Sequence, residues 1–156
     1  MEYVFHLEED FIINHPIFLD HLIALLEDHP ELAEVTLQRQ PWNPEEVSRD
    51  SIFDDTDDWV EHAHSWPVDV DTAQLDSALA AADGLRTAWW VQHQRVFSLN
   101  PSLIPRKVIE MGWPAGNEAE MTKNVVDAGY EMAFWGSKGE QAVTHIGHDR
   151  SQGWKL

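Results

Sequence analysis

Tyr3-Val4-Phe5-His6-Leu7-Glu8-Glu9-Asp10-Phe11 runs an apolar segment straight into three consecutive carboxylates, and Ile12 and Ile13 follow. Val4, Phe5 and Leu7 are β-branched, aromatic or aliphatic, which predicts a buried strand of an α/β sheet. Three adjacent acids between apolar flanks repel one another and lose hydration unless a cation or donor groups offset the cost. Hard divalent cations take oxygen ligands of this kind, and Mg²⁺ or Mn²⁺ commonly complete their shells with substrate phosphates. The same spacing also suits a solvated strand end with surface acids.

Working outward, Asn14-His15-Pro16 is a cap and first turn. Ile17, Leu19, Leu22, Ile23, Leu25 and Leu26 then give an apolar face at helical spacing over 16–27, and Asp28-His29-Pro30 ends it. Glu34-Val35-Thr36-Leu37-Gln38 is a short strand. Strand, helix, strand is the unit of a parallel or mixed sheet, so the fold class expected is α/β, with a mixed sheet flanked by helices.

The 156 residues suit a single domain, and 43% hydrophobic content with eight Trp supplies a core. The absence of Cys excludes disulfide scaffolds, Cys-based zinc sites and thiol nucleophiles, and fits a reducing, cytoplasmic setting. There is no apolar run of about 18 residues and no secretory leader pattern, so the expectation is a chain with no membrane span. A formal charge of −18 argues against non-specific binding to nucleic acid, which needs a basic face. Twelve acids lie between Glu45 and Asp83 against the single base Arg49. From Ser48 to Asp71 no period is sustained, and residues 48–83 are expected to be an acidic peripheral insertion, with a surface helix over 71–83.

Within that insertion Asp54-Asp55-Thr56-Asp57-Asp58 lacks the Gly and distal Glu of an EF-hand, so a solvated loop is expected. His62 and His64 would share a side only in a strand, and exposed histidines are expected there. Further on, Thr87–Val91 and Arg95–Leu99 are strand-like, a helical turn falls near Lys107–Glu110, and Asn117 caps a helix over 118–129. Tyr130–Trp135 and Gln141–Ile146 are the final strands, turned by Ser137-Lys138-Gly139. Trp89 and Trp90, adjacent in a strand, must point to opposite faces, which puts one of them in the core.

The blocks Phe5–Phe11, Arg39-Gln40-Pro41-Trp42-Asn43, Phe97-Ser98-Leu99-Asn100-Pro101, Gly112-Trp113-Pro114, Gly116-Asn117-Glu118, and Trp135-Gly136 through His145-Ile146-Gly147 cover nearly the whole chain in order. Together they resemble a GT-A-fold glycosyltransferase, closest to phage and actinobacterial members. The resemblance implies a nucleotide-sugar donor, a glycan or protein acceptor, and a divalent cation, Mn²⁺ or Mg²⁺, at a DxD-like acidic strand end. It places Asp10 on the metal-ligating acid, Glu8 and Glu9 where the family contacts ribose or supports the metal, and His145 on a metal or diphosphate contact. Glu118 falls on the general base of inverting relatives. Glu-Glu-Asp replaces the family's run of Asp, which leaves the division of roles among the three open. Trp42 and Trp113, beside loop prolines, are candidates for acceptor contact.

The resemblance further implies that this chain corresponds to the second half of a catalytic domain, with the nucleotide-binding half expected on a partner polypeptide or elsewhere. The alternative is a catalytically silent binding or interaction module derived from such a domain. For Glu118 taken alone, the plain alternative is a first-turn acid favoured by the helix dipole.

Overall fold

The computed structural model describes residues 2–39, 59–67, 85–94, 96–98, 100–112, 118–138 and 140–146. Its elements are β1 (Tyr3–His6), β2 (Phe11–Ile13), α1 (Leu19–Asp28), β3 (Leu32–Leu37), β4 (Val60–Pro67) and β5 (Leu85–His93). They continue with β6 (Ser102–Pro105), α2 (Arg106–Ile109), α3 (Glu118–Asp127), β7 (Glu131–Trp135) and β8 (Val143–His145). A six-stranded mixed sheet has the order β1-β6-β3-β7-β5-β4, and β2 pairs with β8 in a separate two-stranded ribbon. The α/β expectation holds, with β1 and β3 in one sheet. Both are antiparallel to the intervening β6 and so parallel to each other, while β3 and β7 pair directly in parallel.

Helix α1 covers one sheet face because Leu22, Leu25 and Leu26 recur at i, i+3 and i+4. They pack with Val35, Leu37, Trp90, Leu103 and Ala133. On the other face Val108 of α2 and Met121 and Val125 of α3 meet Ala33, Phe97, Ile104 and Met132. No helix among the described residues is long and apolar enough to cross a membrane.

Five local expectations are corrected. The helix begins at Leu19 after Phe18, without a side-chain cap. Asn14 is spent on β8, where its N–H donates to Ala142 O at 3.0 Å and its Oδ1 accepts from Thr144 at 2.9 Å. Strand β1 is an edge strand, not a buried one, and Val4 is 47% exposed. Residues 96–98 are not a strand, because side chains rather than a ladder take the amides of Phe97 and Ser98.

The other two concern the insertion, where residues 59–67 are part of the fold. Strand β4 pairs with β5 along its whole length, and Trp59 and His64 are buried. His62, half-buried, and His64 therefore do share a face, against Trp90 and α1, instead of lying exposed. The acid run 54–58 and the helix expected over 71–83 lie outside the described residues.

The β7–β8 connection starts at Gly136 with φ +103°, a conformation L side chains rarely adopt. Its N–H donates to Trp89 O at 2.8 Å, and a Cβ there would stand 2.9 Å from Glu140 Oε2. Glu140 can swing away, but the backbone cannot relax as easily. Gly136→Ala is expected to cost about 1–2 kcal/mol from the left-handed conformation alone, read as a lower urea midpoint at unchanged slope. An unchanged midpoint would mean the turn adapts.

Candidate functional site

The ribbon β2–β8 decides what stands next to Asp10. Phe11 is opposite His145 in its register, and Ile146 N–H donates to Asp10 O at 2.8 Å just beyond the paired residues. Asp10 Oδ2 thereby meets His145 Nε2 at 3.1 Å, joining residues 135 apart in sequence. Both side chains are largely buried, at 23% and 13% exposure, and the Phe11 ring lies 4.9 Å from the imidazole. Asp10 Oδ1 is buried without a hydrogen-bond partner.

The acidic triplet does not gather into a three-ligand group. Glu9 is exposed at the turn, and Glu8 Oε1 stands 3.7 Å from His6 Nε2 at the end of β1. A strand entering a turn sends successive side chains in different directions, so three adjacent acids do not form one cage.

Gln38, just past β3, braces the segment that delivers His145. Its Nε2 donates to Ser137 O at 2.8 Å, and its carbonyl accepts the N–H groups of Ala142 and Val143. Arg39 bridges to Val143 in parallel. This anchoring runs from the carboxyl end of β3 to the amino end of β8, which puts the Asp10–His145 pair at the edge of the sheet where parallel strands end. Ligands of open α/β sheets gather at that edge.

Glu118 opens α3, exposed, on the opposite side of the sheet from α1. Only Ala128, Gly129 and Tyr130 separate α3 from β7, so the helix runs back over the sheet with its amino end towards the edge where β7 stops. Glu118's charge acts on Glu34, a residue the sequence reading left inside an ordinary strand. Asp10 and His145 are thus brought together, while Glu118 lies on the α3 side of the sheet. Trp42, Trp113, Asn117 and His148 lie outside the described residues.

Glu34 is 1% exposed, and burial drives its carboxyl well above the usual range. The Ser98 N–H and the neighbouring Thr36 pull the other way, and the charge of Glu118 pushes it further up. A polar row crosses the same face beside it: His6, Ser102 and Thr36 are opposite one another across β1, β6 and β3. The sequence does carry a signal, since Glu34 interrupts Leu32-Ala33-Glu34-Val35-Thr36-Leu37. What it hides is that this face is covered.

A second cluster also went unforeseen. His62 stacks on Trp90 with ring centres 4.5 Å apart, and His29 meets the same indole at 4.8 Å. His64 Nε2 stands 3.7 Å from Asp28 Oδ2. Burial lowers the proton affinity of His64 against the opposing pull of Asp28, with His29 adding to the lowering.

Among the described residues no group of three or more His, Cys, Asp or Glu side chains is arranged to hold a metal ion. No protein-family model, curated protein or solved structure matches the chain.

Proposed function

We propose that the chain acts in metal-assisted glycosyl transfer from a nucleotide-sugar donor to an acceptor hydroxyl, with Asp10 and His145 at the metal and Glu118 as general base. One observation carries this reading. Asp10 and His145, distant in sequence, form a partly buried pair in which Asp10 keeps one oxygen without a hydrogen bond. Mg²⁺ and Mn²⁺ suit such a donor set, since they are often held by one or two protein groups and completed by phosphate oxygens and water. The pair fits that manner of binding and not an all-protein cage.

A divalent ion held there would neutralise charge on the departing diphosphate. For its part Asp10 supplies the buried oxygen that has no hydrogen bond, and His145, tilted against Phe11 and fixed by the ribbon, keeps that carboxylate in orientation. Glu118 takes the acceptor proton as the acceptor oxygen bonds to the anomeric carbon. The bond from that carbon to the diphosphate oxygen breaks, and its electron pair leaves with the diphosphate.

The second reading, a catalytically silent binding module, draws on the lack of a third metal ligand among the described residues. Calorimetric titration with Mn²⁺, and then with UDP or GDP, of the 156-residue chain alone and together with the polypeptide that carries the nucleotide-binding half, separates the two. The transfer reading expects nucleotide binding that needs Mn²⁺ and weakens at least about tenfold, roughly 1.4 kcal/mol, in Asp10→Ala. No Mn²⁺-dependent heat in the wild type, or full binding in Asp10→Ala, would leave the silent module.

A further inference from the structure

Regular alternation with Val35 and Leu37 puts Glu34 on the α3 side of β3, and the break before it adds Ala33 to that side. Leu32, Val35 and Leu37 all belong to the α1-side core, although Leu32 and Val35 are three apart, and Ala33 belongs to the α3-side core. The pairing register with β7 shifts between Leu32 and Glu34, so Ala33 and Glu34 both face α3. There Glu34 Oε1 accepts the Ser98 N–H at 2.8 Å. The preceding amide, Phe97 N–H, donates to Thr122 Oγ1 at 2.8 Å, and that hydroxyl donates to Glu118 O at 2.8 Å. Two consecutive amides are therefore clamped between β3 and the first turn of α3.

We propose that Glu34 is a positioning residue for Glu118: it holds the Ser98 amide beneath the first turn of α3, while the adjacent Phe97 amide is tied through Thr122 to the Glu118 carbonyl. This rests on the reading of Glu118 as the base. The surroundings of Glu34 favour its neutral form. Glu34's partner across β7 is Met132, the residues before Ser98 are Val96 and Phe97, and α3 contributes the negative Glu118. Its second oxygen lies buried beside the Thr36 hydroxyl without a closed hydrogen bond. Leucine at this place would strand the Ser98 N–H. Glutamine would keep that bond and lose the electrical link to Glu118.

The charge of Glu118 adds to the effect of burial in raising the Glu34 carboxyl. The pH dependence has a definite sign. The folded carboxyl is raised above its unfolded value of about 4.3, so the stability it contributes is full below that pH. That contribution is lost as pH rises through the folded value.

The test uses the full chain with ¹³C-carboxyl glutamate, together with Glu34→Gln, Glu34→Leu and Glu118→Gln. The Glu34 carboxyl is expected to show a protonated shift at pH 7 in the wild type. Its midpoint should fall in Glu118→Gln, as removal of a nearby like charge requires. In Glu34→Gln the Ser98 amide should keep its protection from hydrogen exchange, and thermal stability should rise relative to wild type as the pH is raised. In Glu34→Leu that protection should fall about tenfold or more, the signature of an opened amide. An ionised Glu34 at pH 7, or a midpoint that ignores Glu118→Gln, overturns the proposal. Should Glu34→Leu not fold, the other two variants still decide. Absence of Mn²⁺-dependent nucleotide binding is a separate readout that overturns the function and leaves the carboxyl coupling to stand or fall by itself.

Discussion

Trp90→Ala is expected to remove about 3–5 kcal/mol of stability, the range for emptying the site of a large buried aromatic. Trp90 is 1% exposed and joins three parts of the fold, since it packs in the α1-side core, meets His29 at the end of α1 and stacks on His62 of β4. A domain of ordinary stability holds about 5–15 kcal/mol, so this loss would move the urea midpoint by a large part of its range. Trp89 next door is 49% exposed on the opposite face, and Trp89→Ala should stay within about 0.5 kcal/mol as a surface change. Equal losses in the two variants would contradict the assignment of faces.

Glu118→Gln is expected to leave Mn²⁺-dependent nucleotide binding intact and to lower glycosyl transfer by about 10²–10⁴-fold, the usual contribution of a positioned base. The amide is nearly isosteric and cannot accept the acceptor's proton. Glu118 is exposed at the start of a ten-residue helix whose packing rests on Met121 and Val125, so the fold should survive the change. Comparable loss of nucleotide binding in Glu118→Gln and Asp10→Ala would sink the division of roles between acid pair and base. Unimpaired transfer would return Glu118 to its plain role as a first-turn acid favoured by the helix dipole.

The periodic signals were legible without coordinates. Leu22, Leu25 and Leu26 specified the buried side of α1, and the strand expected over Glu34–Gln38 is present as β3, which starts two residues earlier at Leu32. Trp89 and Trp90 could not both be buried from one strand face, and they are not. These are short-range facts, fixed by the 3.6- and 2-residue repeats of the backbone. Strand β4 escaped because Val60-Glu61-His62-Ala63-His64-Ser65-Trp66-Pro67 has no apolar alternation. It is held by pairing with β5, and its described inward residues, His62 and His64, are imidazoles.

By itself the sequence determined the α/β class, the 19–28 and 118–127 helices within a few residues, and the two residue types that meet at the ribbon. Only the tertiary structure decided that Asp10 meets His145, because a one-residue change in the β2–β8 register would pair Asp10 with a different partner. It also decided the fate of Glu34. Alternation along β3 assigns that carboxylate to a polar face. The 96–98 segment and α3 then cover the face and keep water out. Burial is a property of what lies opposite a side chain, and no spacing within one strand records it.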